Sequence, residues 1–269
     1  MNNPAPTKYF SIFRAIHRGG LSLLLNRRAL MPMTLIPTLV TFLTLMVMRA
    51  NFKGDEMPST FVSALIQLPS DFVTGMFCAL IIFIIMNAPK KDDKDAPVMF
   101  SLNIMERKDL LLSGAIAYTV FGYLASGVLG AMQILFEPLQ AAAQNESPPN
   151  IGHTILLFAL AGVMFYGLRF IVLPILIIGK IDIRHFYSQF KAIGFSLPIF
   201  IVKIATTFLV GIIAFMIISI VLSASGGEIA DANPTQLAIV DFVTAFGTVI
   251  MAAWSSSALA MGVRKMVES

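Results

Sequence analysis

Six long apolar stretches, most of them long enough to cross a lipid bilayer, dominate this sequence of 269 residues. A transmembrane helix needs about 20 predominantly apolar residues, because each residue adds about 1.5 Å along the helix axis. The stretches cover residues 30–48, 72–88, 110–136, 154–179, 195–222 and 237–263. Such continuous runs favour helices over the short alternating strands of a membrane barrel. The sequence therefore predicts an all-α, polytopic membrane helical bundle with six transmembrane helices. The second stretch is short, and we expect it to stand upright or thin the bilayer locally.

The overall composition favours the same class. Hydrophobic residues make up 57% of the chain and charged residues only 13%, against about a quarter charged in soluble domains. One core in water cannot enclose that much apolar surface. The formal net charge of +4 falls on positions that flank the predicted spans, so we predict no nucleic-acid partner.

Lysine and arginine alternate between the two sides of the predicted spans. Fifteen of the 19 lie in the N-terminal segment, the second and fourth connections and the C-terminus. The first connection has Arg49 and Lys53, and the third and fifth have none. Because cytoplasmic loops are enriched in Lys and Arg, both termini are predicted to be cytoplasmic. We expect a multi-pass protein of the cell inner (plasma) membrane, ending in a short cytoplasmic tail, residues 264–269.

Residues 1–29 are predicted to form a basic amphipathic helix in the cytoplasmic interface, ahead of a transmembrane domain over residues 30–263. Apolar side chains recur there at helical spacing: Tyr9, Phe10, Ile12, Phe13 and Ile16. The basic residues expected to contact anionic lipid headgroups are Arg14, Arg18, Arg27 and Arg28. Each such contact is worth about 1 kcal/mol. Gly19 and Gly20 predict a bend before the chain turns into the bilayer.

A similar pattern occupies the fourth connection. Its apolar side chains at helical spacing are Ile183, Phe186, Tyr187, Phe190 and Ile193. The pattern is typical of a helix that lies on the membrane. The alternative is a helix that docks a cytoplasmic partner, as coupling helices do in transport permeases.

Ionisable residues inside the spans are candidates for function, because a central Arg or Lys costs about 2.5–3.5 kcal/mol to insert. Arg169, Lys203 and Asp241 lie within predicted spans, and Tyr166 is a neighbouring hydrogen-bond donor. One interpretation is a buried polar cluster that binds an anionic substrate or headgroup. The structural alternative is that Lys203 extends to the interface while Arg169 satisfies backbone carbonyls near Pro174.

Small residues predict close helix contacts. Gly122, Ser126 and Gly130 recur every four positions in the third span, a spacing that permits close approach. Ser255, Ser256 and Ser257 in the sixth span favour packing, with a polar pore lining as the alternative.

The sequence contains no recognisable catalytic or nucleotide-binding motif. We find no zinc-protease, nucleophile-elbow, phosphate-loop or dinucleotide motif. The single Cys78 and three scattered histidines exclude a disulfide framework within the chain and argue against a metal site. The sequence therefore predicts no catalytic residues, no cofactor and no enzyme.

One segment, residues 166–200, has a recognisable pattern. An Arg inside a span is followed by a Pro, an aromatic amphipathic connection and another span: Arg169, Pro174, Phe186, Phe190 and Pro198. This pattern resembles the YciC-like family of six-helix bacterial inner-membrane proteins. Residues 13–32 are similar to the basic entry helix of that family, through Gly20, Asn26, Arg27 and Leu30. The chain departs from the family at Arg264, which has no nearby Tyr. The resemblance implies six spans and no particular activity.

Two functions fit these observations best. The first is a non-enzymatic membrane protein that supports membrane or lipid organisation, with anionic headgroups as its partners. The second is a transmembrane permease subunit, which would need a separate ATPase partner because the chain has no nucleotide motif. An intramembrane enzyme would need a nucleophile or paired carboxylates at depth, and the sequence offers neither.

Overall fold

The computed structural model describes residues 10–51, 60–88, 108–144, 151–184, 196–223 and 232–268, and the elements within these ranges are helical. The α-helices there are α1 (Ile12–Leu25), α2 (Arg27–Asn51), α3 (Thr60–Asn87), α4 (Lys108–Gln144), α5 (Ile151–Gly167), α6 (Leu173–Ile178), α7 (Ser196–Ser223) and α8 (Pro234–Glu268). A 3₁₀ segment, Leu168–Val172, joins α5 to α6. The prediction of an all-α chain is confirmed for these residues.

Five helical stretches of the described chain are long and apolar enough to cross a bilayer: Arg27–Asn51, Val62–Asn87, Ile151–Ile178, Ser196–Ser223 and Pro234–Val267. The protein is therefore a multi-pass membrane protein. The predicted third span falls on α4, whose apolar part among the described residues is Asp109–Leu124. The sixth crossing stays a prediction.

The helix that carries the second span is longer than predicted. α3 begins at Thr60 and continues through Pro69, whereas the apolar run alone suggested a start at residue 72. The expectation of a short span is therefore wrong. The polar residues that end the apolar run are accommodated inside the bundle, because the Thr41 and Ser70 hydroxyls share a hydrogen bond of 2.7 Å.

The N-terminal helix α1 packs along α8. Gly19 lies so close that a Cβ atom there would stand 2.7 Å from the backbone of Ala258. The Trp254 indole donates a hydrogen bond to the Ile16 carbonyl (3.1 Å), and the Ser257 hydroxyl donates one to the Gly19 carbonyl (3.1 Å). The expected break at Gly19 and Gly20 is not found, since α1 continues as an α-helix through both and ends at Leu25. These small residues permit close packing instead.

The chain turns at Asn26, between α1 and α2. Asn26 ends the hydrogen-bonding pattern of α1, and its side-chain amide donates to the Ser22 carbonyl at 2.6 Å. The buried side of α1 is its small-residue face, Ala15, Gly19 and Ser22. Phe13 of the predicted aromatic stripe is 88% exposed. Phe10, Ile12 and Ile16 of the same stripe pack against the buried core, so part of the predicted apolar face contacts the bundle together with the small-residue face.

The best-packed core lies among α3, α6 and α8. Its fully buried side chains include Ile81 and Ile85 of α3, Ile175 of α6, and Val249 and Val263 of α8. In contrast α7 exposes most of its length, with Phe215 and Ile220 each 70% exposed. Apolar exposure of this kind suits contact with lipid tails.

Three further features concern the middle of the chain. The 3₁₀ segment ends at Val172, and α6 begins at Leu173 with Pro174 in its first turn, where the missing N–H of proline costs no helical hydrogen bond. Close approach at Gly122 is wrong, because a Cβ atom there would meet nothing within 4 Å. Most of the amphipathic pattern of the fourth connection, residues 185–195, lies outside the described residues.

Candidate functional site

Arg169 is held against Tyr166 inside the bundle. Arg169 is only 2% exposed. Its guanidinium carbon lies 3.8 Å from the centre of the Tyr166 ring, and its Nε donates to the Tyr166 carbonyl at 3.1 Å. The 3₁₀ segment begins two residues after Tyr166, where the regular α-helical hydrogen-bonding pattern ends. Arg169 therefore binds the Tyr166 carbonyl beside an irregular part of the helix, and a cation–π contact adds to this.

Asp241 forms an ion pair with Arg49. The Arg49 Nη2 and Asp241 Oδ1 atoms are 2.6 Å apart, and the Asp241 side chain is only 8% exposed. The sequence grouped Asp241 with Arg169 and Lys203, and it assigned Arg49 to a connection. The pair instead joins the last turn of α2 to the first turns of α8. It compensates a carboxylate that would otherwise be costly to bury.

The charge of Lys203 in α7 influences the thiol of Cys78 in α3. The Cys78 thiol is completely buried and is within hydrogen-bonding reach of the Tyr118 and Ser256 hydroxyls. Cys78 of α3, Tyr118 of α4 and Ser256 of α8 thus form a polar group on which the charge of Lys203 in α7 acts, and we call these four residues the Lys203 cluster. The sequence singled out Lys203 but did not bring it together with Cys78, Tyr118 or Ser256.

A second acid, Asp71, lies within α3 inside the bundle. Its carboxylate interacts with the Tyr123 hydroxyl, which also donates to the Ala64 carbonyl at 2.7 Å. The second predicted span begins at residue 72 and leaves Asp71 outside it, whereas α3 begins at Thr60 and includes Asp71.

A small open pocket with three cations forms where α1 meets the C-terminal end of α8. It is lined by Ser11, Arg14, Ala15, Arg18, Met261, Gly262 and Lys265. Ser11 precedes the first turn of α1, which has no acidic residue. The positive end of the helix dipole therefore adds to the charges of Arg14, Arg18 and Lys265. We call this the basic pocket.

The other two basic residues expected at the interface, Arg27 and Arg28, are exposed at the start of α2. Arg27 makes a long contact of 3.4 Å from Nη1 to the Leu24 carbonyl. The structure thus brings Arg14 and Arg18 together with Lys265, whereas Arg27 and Arg28 lie beyond the turn at Asn26. In the sequence, Lys265 served only as one of the basic residues that indicate a cytoplasmic C-terminus. It lines the pocket because α1 docks against α8.

Arg264 closes the end of α3 next to the basic pocket. Its guanidinium donates to the Ile85 carbonyl at 2.5 Å and to the Ala88 carbonyl at 2.9 Å. Carbonyls at a helix C-terminus lack partners within the helix and carry partial negative charge. Arg264 therefore ties α8 to α3 at the end of the bundle where α1 docks.

Comparisons with known proteins give no relative for this chain: no family model, no curated protein and no solved structure matches it. Within the described ranges, no three His, Cys, Asp or Glu side chains are grouped as a metal site would require. The candidate sites among the described residues are the basic pocket and the Lys203 cluster.

Proposed function

We propose that this protein is a non-enzymatic inner-membrane protein that binds anionic lipid headgroups at the basic pocket and so supports membrane or lipid organisation. The observation that carries the proposal is the meeting of Arg14, Arg18 and Lys265 at one end of the bundle. We also propose six spans, cytoplasmic termini and membership of the YciC-like family. The alternation of basic connections along the sequence supports the topology.

The chemistry of the pocket suits a phosphate. Arg14 and Arg18 are one helical turn apart on α1, and Lys265 reaches the same pocket from α8. Arginine binds phosphate oxygens through paired N–H donors. The adjacent apolar surface, with Phe13 88% exposed, suits lipid tails. Together they fit an anionic lipid whose headgroup sits at the helix ends.

The depth of the pocket also supports the proposal. It lies beside Gly262, where a Cβ atom would clash with the Phe10 ring, and one turn from Arg264, which binds the end of α3. Helix ends lie near the headgroup region when helices of this length span a bilayer. Basic residues at that depth are attracted to anionic lipids.

We expect the double variant Arg14→Gln/Lys265→Gln to bind phosphatidylglycerol about thirtyfold more weakly than the wild type. Each cation near the surface contributes about 1 kcal/mol, so two contribute about 2 kcal/mol. The measurement is native mass spectrometry of the purified protein titrated with phosphatidylglycerol, with phosphatidylethanolamine as the neutral competitor.

The matched control is Lys180→Gln/Arg184→Gln. Both residues are exposed, and Lys180 follows Gly179, which contacts Met86 near the end of α3. This variant loses the same charge at the same end of the bundle, outside the pocket. We expect it to keep most of its phosphatidylglycerol affinity. Equal losses in the two double variants would mean that the pocket has no special role.

A permease subunit with a separate ATPase partner is the second candidate. The Lys203 cluster favours it, because ionisable groups inside a bundle often mark substrate paths. Copurification of an ATPase with the tagged protein would support this candidate over the first.

A further inference from the structure

We propose that an anionic lipid in the basic pocket fastens α1 to α8, so that the docking of α1 follows the supply of anionic lipid. This inference rests on the lipid binding proposed above and adds a conformational response to it. The observation that carries it is the shared construction of the pocket. Its lining comes from two separate helices: Arg14, Ala15 and Arg18 belong to α1, and Met261, Gly262 and Lys265 belong to α8.

The pocket is complete only while α1 is docked. Ala15 lines the pocket and is also part of the buried side of α1, together with Gly19 and Ser22. At the edge of the pocket, Gly262 lies so close to the start of α1 that a Cβ atom there would clash with the Phe10 ring. A lipid that contacts both helices therefore binds the docked form, and its binding shifts the population toward that form.

Docking brings positive charge from both helices to one place. Arg14 and Arg18 are one turn apart on α1, and Lys265 approaches them from α8. Like charges at short range repel each other, so their mutual repulsion opposes docking. A phosphate among the three side chains attracts both helices at once. The anion therefore favours the docked form, and added salt should weaken its effect.

The fully buried side chains of α1 are small. Gly19 and Ser22 bury little apolar area, and hydrophobic stabilisation scales with that area. The Trp254 indole donates a hydrogen bond of 3.1 Å to the Ile16 carbonyl, and the Ser257 hydroxyl donates one of 3.1 Å within the same interface. The Ser22 hydroxyl is buried and makes no hydrogen bond within the described part of the chain, which costs free energy. The docked form is therefore held by a margin that one bound lipid can change.

Part of the apolar surface of α1 faces away from the bundle, so the helix has a second place to lie. Phe13 is 88% exposed and Leu24 is 62% exposed, whereas Ile12 and Ile16 are partly buried against the core. An amphipathic helix can bury such side chains among lipid tails at the membrane surface. Asn26 alone joins α1 to α2, so a change at one residue can swing α1 off the bundle.

Pulsed electron–electron double resonance on the full chain tests this response. Spin labels are attached after Phe13→Cys on α1 and Val267→Cys on α8, two exposed positions that do not line the pocket. The native Cys78 is completely buried. The labelled protein in dodecyl maltoside is titrated with dioctanoyl phosphatidylglycerol, and dioctanoyl phosphatidylcholine is the neutral control. We expect phosphatidylglycerol to raise the ratio of docked to detached molecules about tenfold at about ten times its dissociation constant, and phosphatidylcholine to leave the ratio unchanged.

Three variants of the labelled chain separate docking from lipid binding. Gly19→Leu should show the detached distance at every lipid concentration, because its side chain cannot fit against the Ala258 backbone. Ser257→Ala keeps every side chain of the pocket but loses one hydrogen bond between the helices. Its ratio of docked to detached molecules should start about fivefold lower and still rise with phosphatidylglycerol. Arg14→Gln/Lys265→Gln should lose the response.

Native mass spectrometry of the same samples keeps this inference apart from the function on which it rests. Phosphatidylglycerol bound to the wild type with no change in the label distance would overturn the inference alone. A wild type that does not bind phosphatidylglycerol selectively would contradict the proposed function and this inference with it. Lys180→Gln/Arg184→Gln should respond as the wild type does. Equal responses in the wild type and in Arg14→Gln/Lys265→Gln would also rule the inference out.

Discussion

Replacing Gly19 by leucine should separate α1 from α8 and lower the free energy of unfolding by about 3 kcal/mol or more. A Cβ atom at Gly19 would lie 2.7 Å from the Cα and N atoms of Ala258. Both are backbone atoms of a long helix, so the contact cannot be relieved by rotating a side chain. The measurements are the unfolding midpoint in detergent and the fluorescence of Trp254, the single tryptophan, which donates a hydrogen bond to the Ile16 carbonyl.

Gly122→Leu is the matched control, because a Cβ atom at Gly122 meets nothing within 4 Å. It should leave the unfolding midpoint and the Trp254 emission near their wild-type values. In Gly19→Leu we expect the Trp254 emission to shift, since α1 covers the indole in the wild type. If both variants were equally stable and had the same emission, the docking of α1 on α8 would be wrong.

Replacing Arg264 by alanine should lower the free energy of unfolding by about 3 kcal/mol. Two hydrogen bonds to the Ile85 and Ala88 carbonyls would be lost, and hydrogen bonds from charged donors are worth about 1.5–3 kcal/mol each. The last carbonyls of α3 would also lose a favourable positive charge. Denaturant titration of the variant and the wild type in mixed micelles measures this difference in the free energy of unfolding.

Arg264→Lys separates charge from geometry, because lysine keeps the charge but lacks the planar fork of donors. It should recover about half of the loss. Lys265→Ala, the next residue, should change stability much less, since Lys265 faces the basic pocket. Equal destabilisation by Arg264→Ala and Lys265→Ala would contradict a specific bond between α8 and the end of α3.

The class of the protein was predictable from the sequence because it depends on the hydropathy summed over each stretch of chain. Apolar length is additive along the chain, so the runs that α2, α3, α7 and α8 carry were visible without any knowledge of packing. The same hydropathy sum placed the start of the second span too late, because α3 begins at Thr60. There Ser70 and Asp71 interrupt the apolar run, yet they are accommodated by Thr41 and Tyr123 from other helices. Only the fold supplies those partners.

The polar pairings were not predictable, because they join residues that are distant in sequence. Arg49 and Asp241 are 192 positions apart, and hydropathy places one in a connection and the other in a span. The four residues of the Lys203 cluster come from four different helices, so their grouping depends on how those helices pack. One signal was available for α1: Ala15, Gly19 and Ser22 repeat at helical spacing, and all three are buried.

The topology can be measured directly by attaching a compartment reporter at defined positions of the full chain. With the proposed six spans and cytoplasmic termini, the C-terminus and the connections at residues 89–107 and 185–195 are expected in the cytoplasm, and the connections at residues 52–59, 145–150 and 224–231 on the outer side. Cytoplasmic reporter activity at the first three positions and external activity at the other three is the expected result. A C-terminal reporter active on the outer surface would contradict the six-span account.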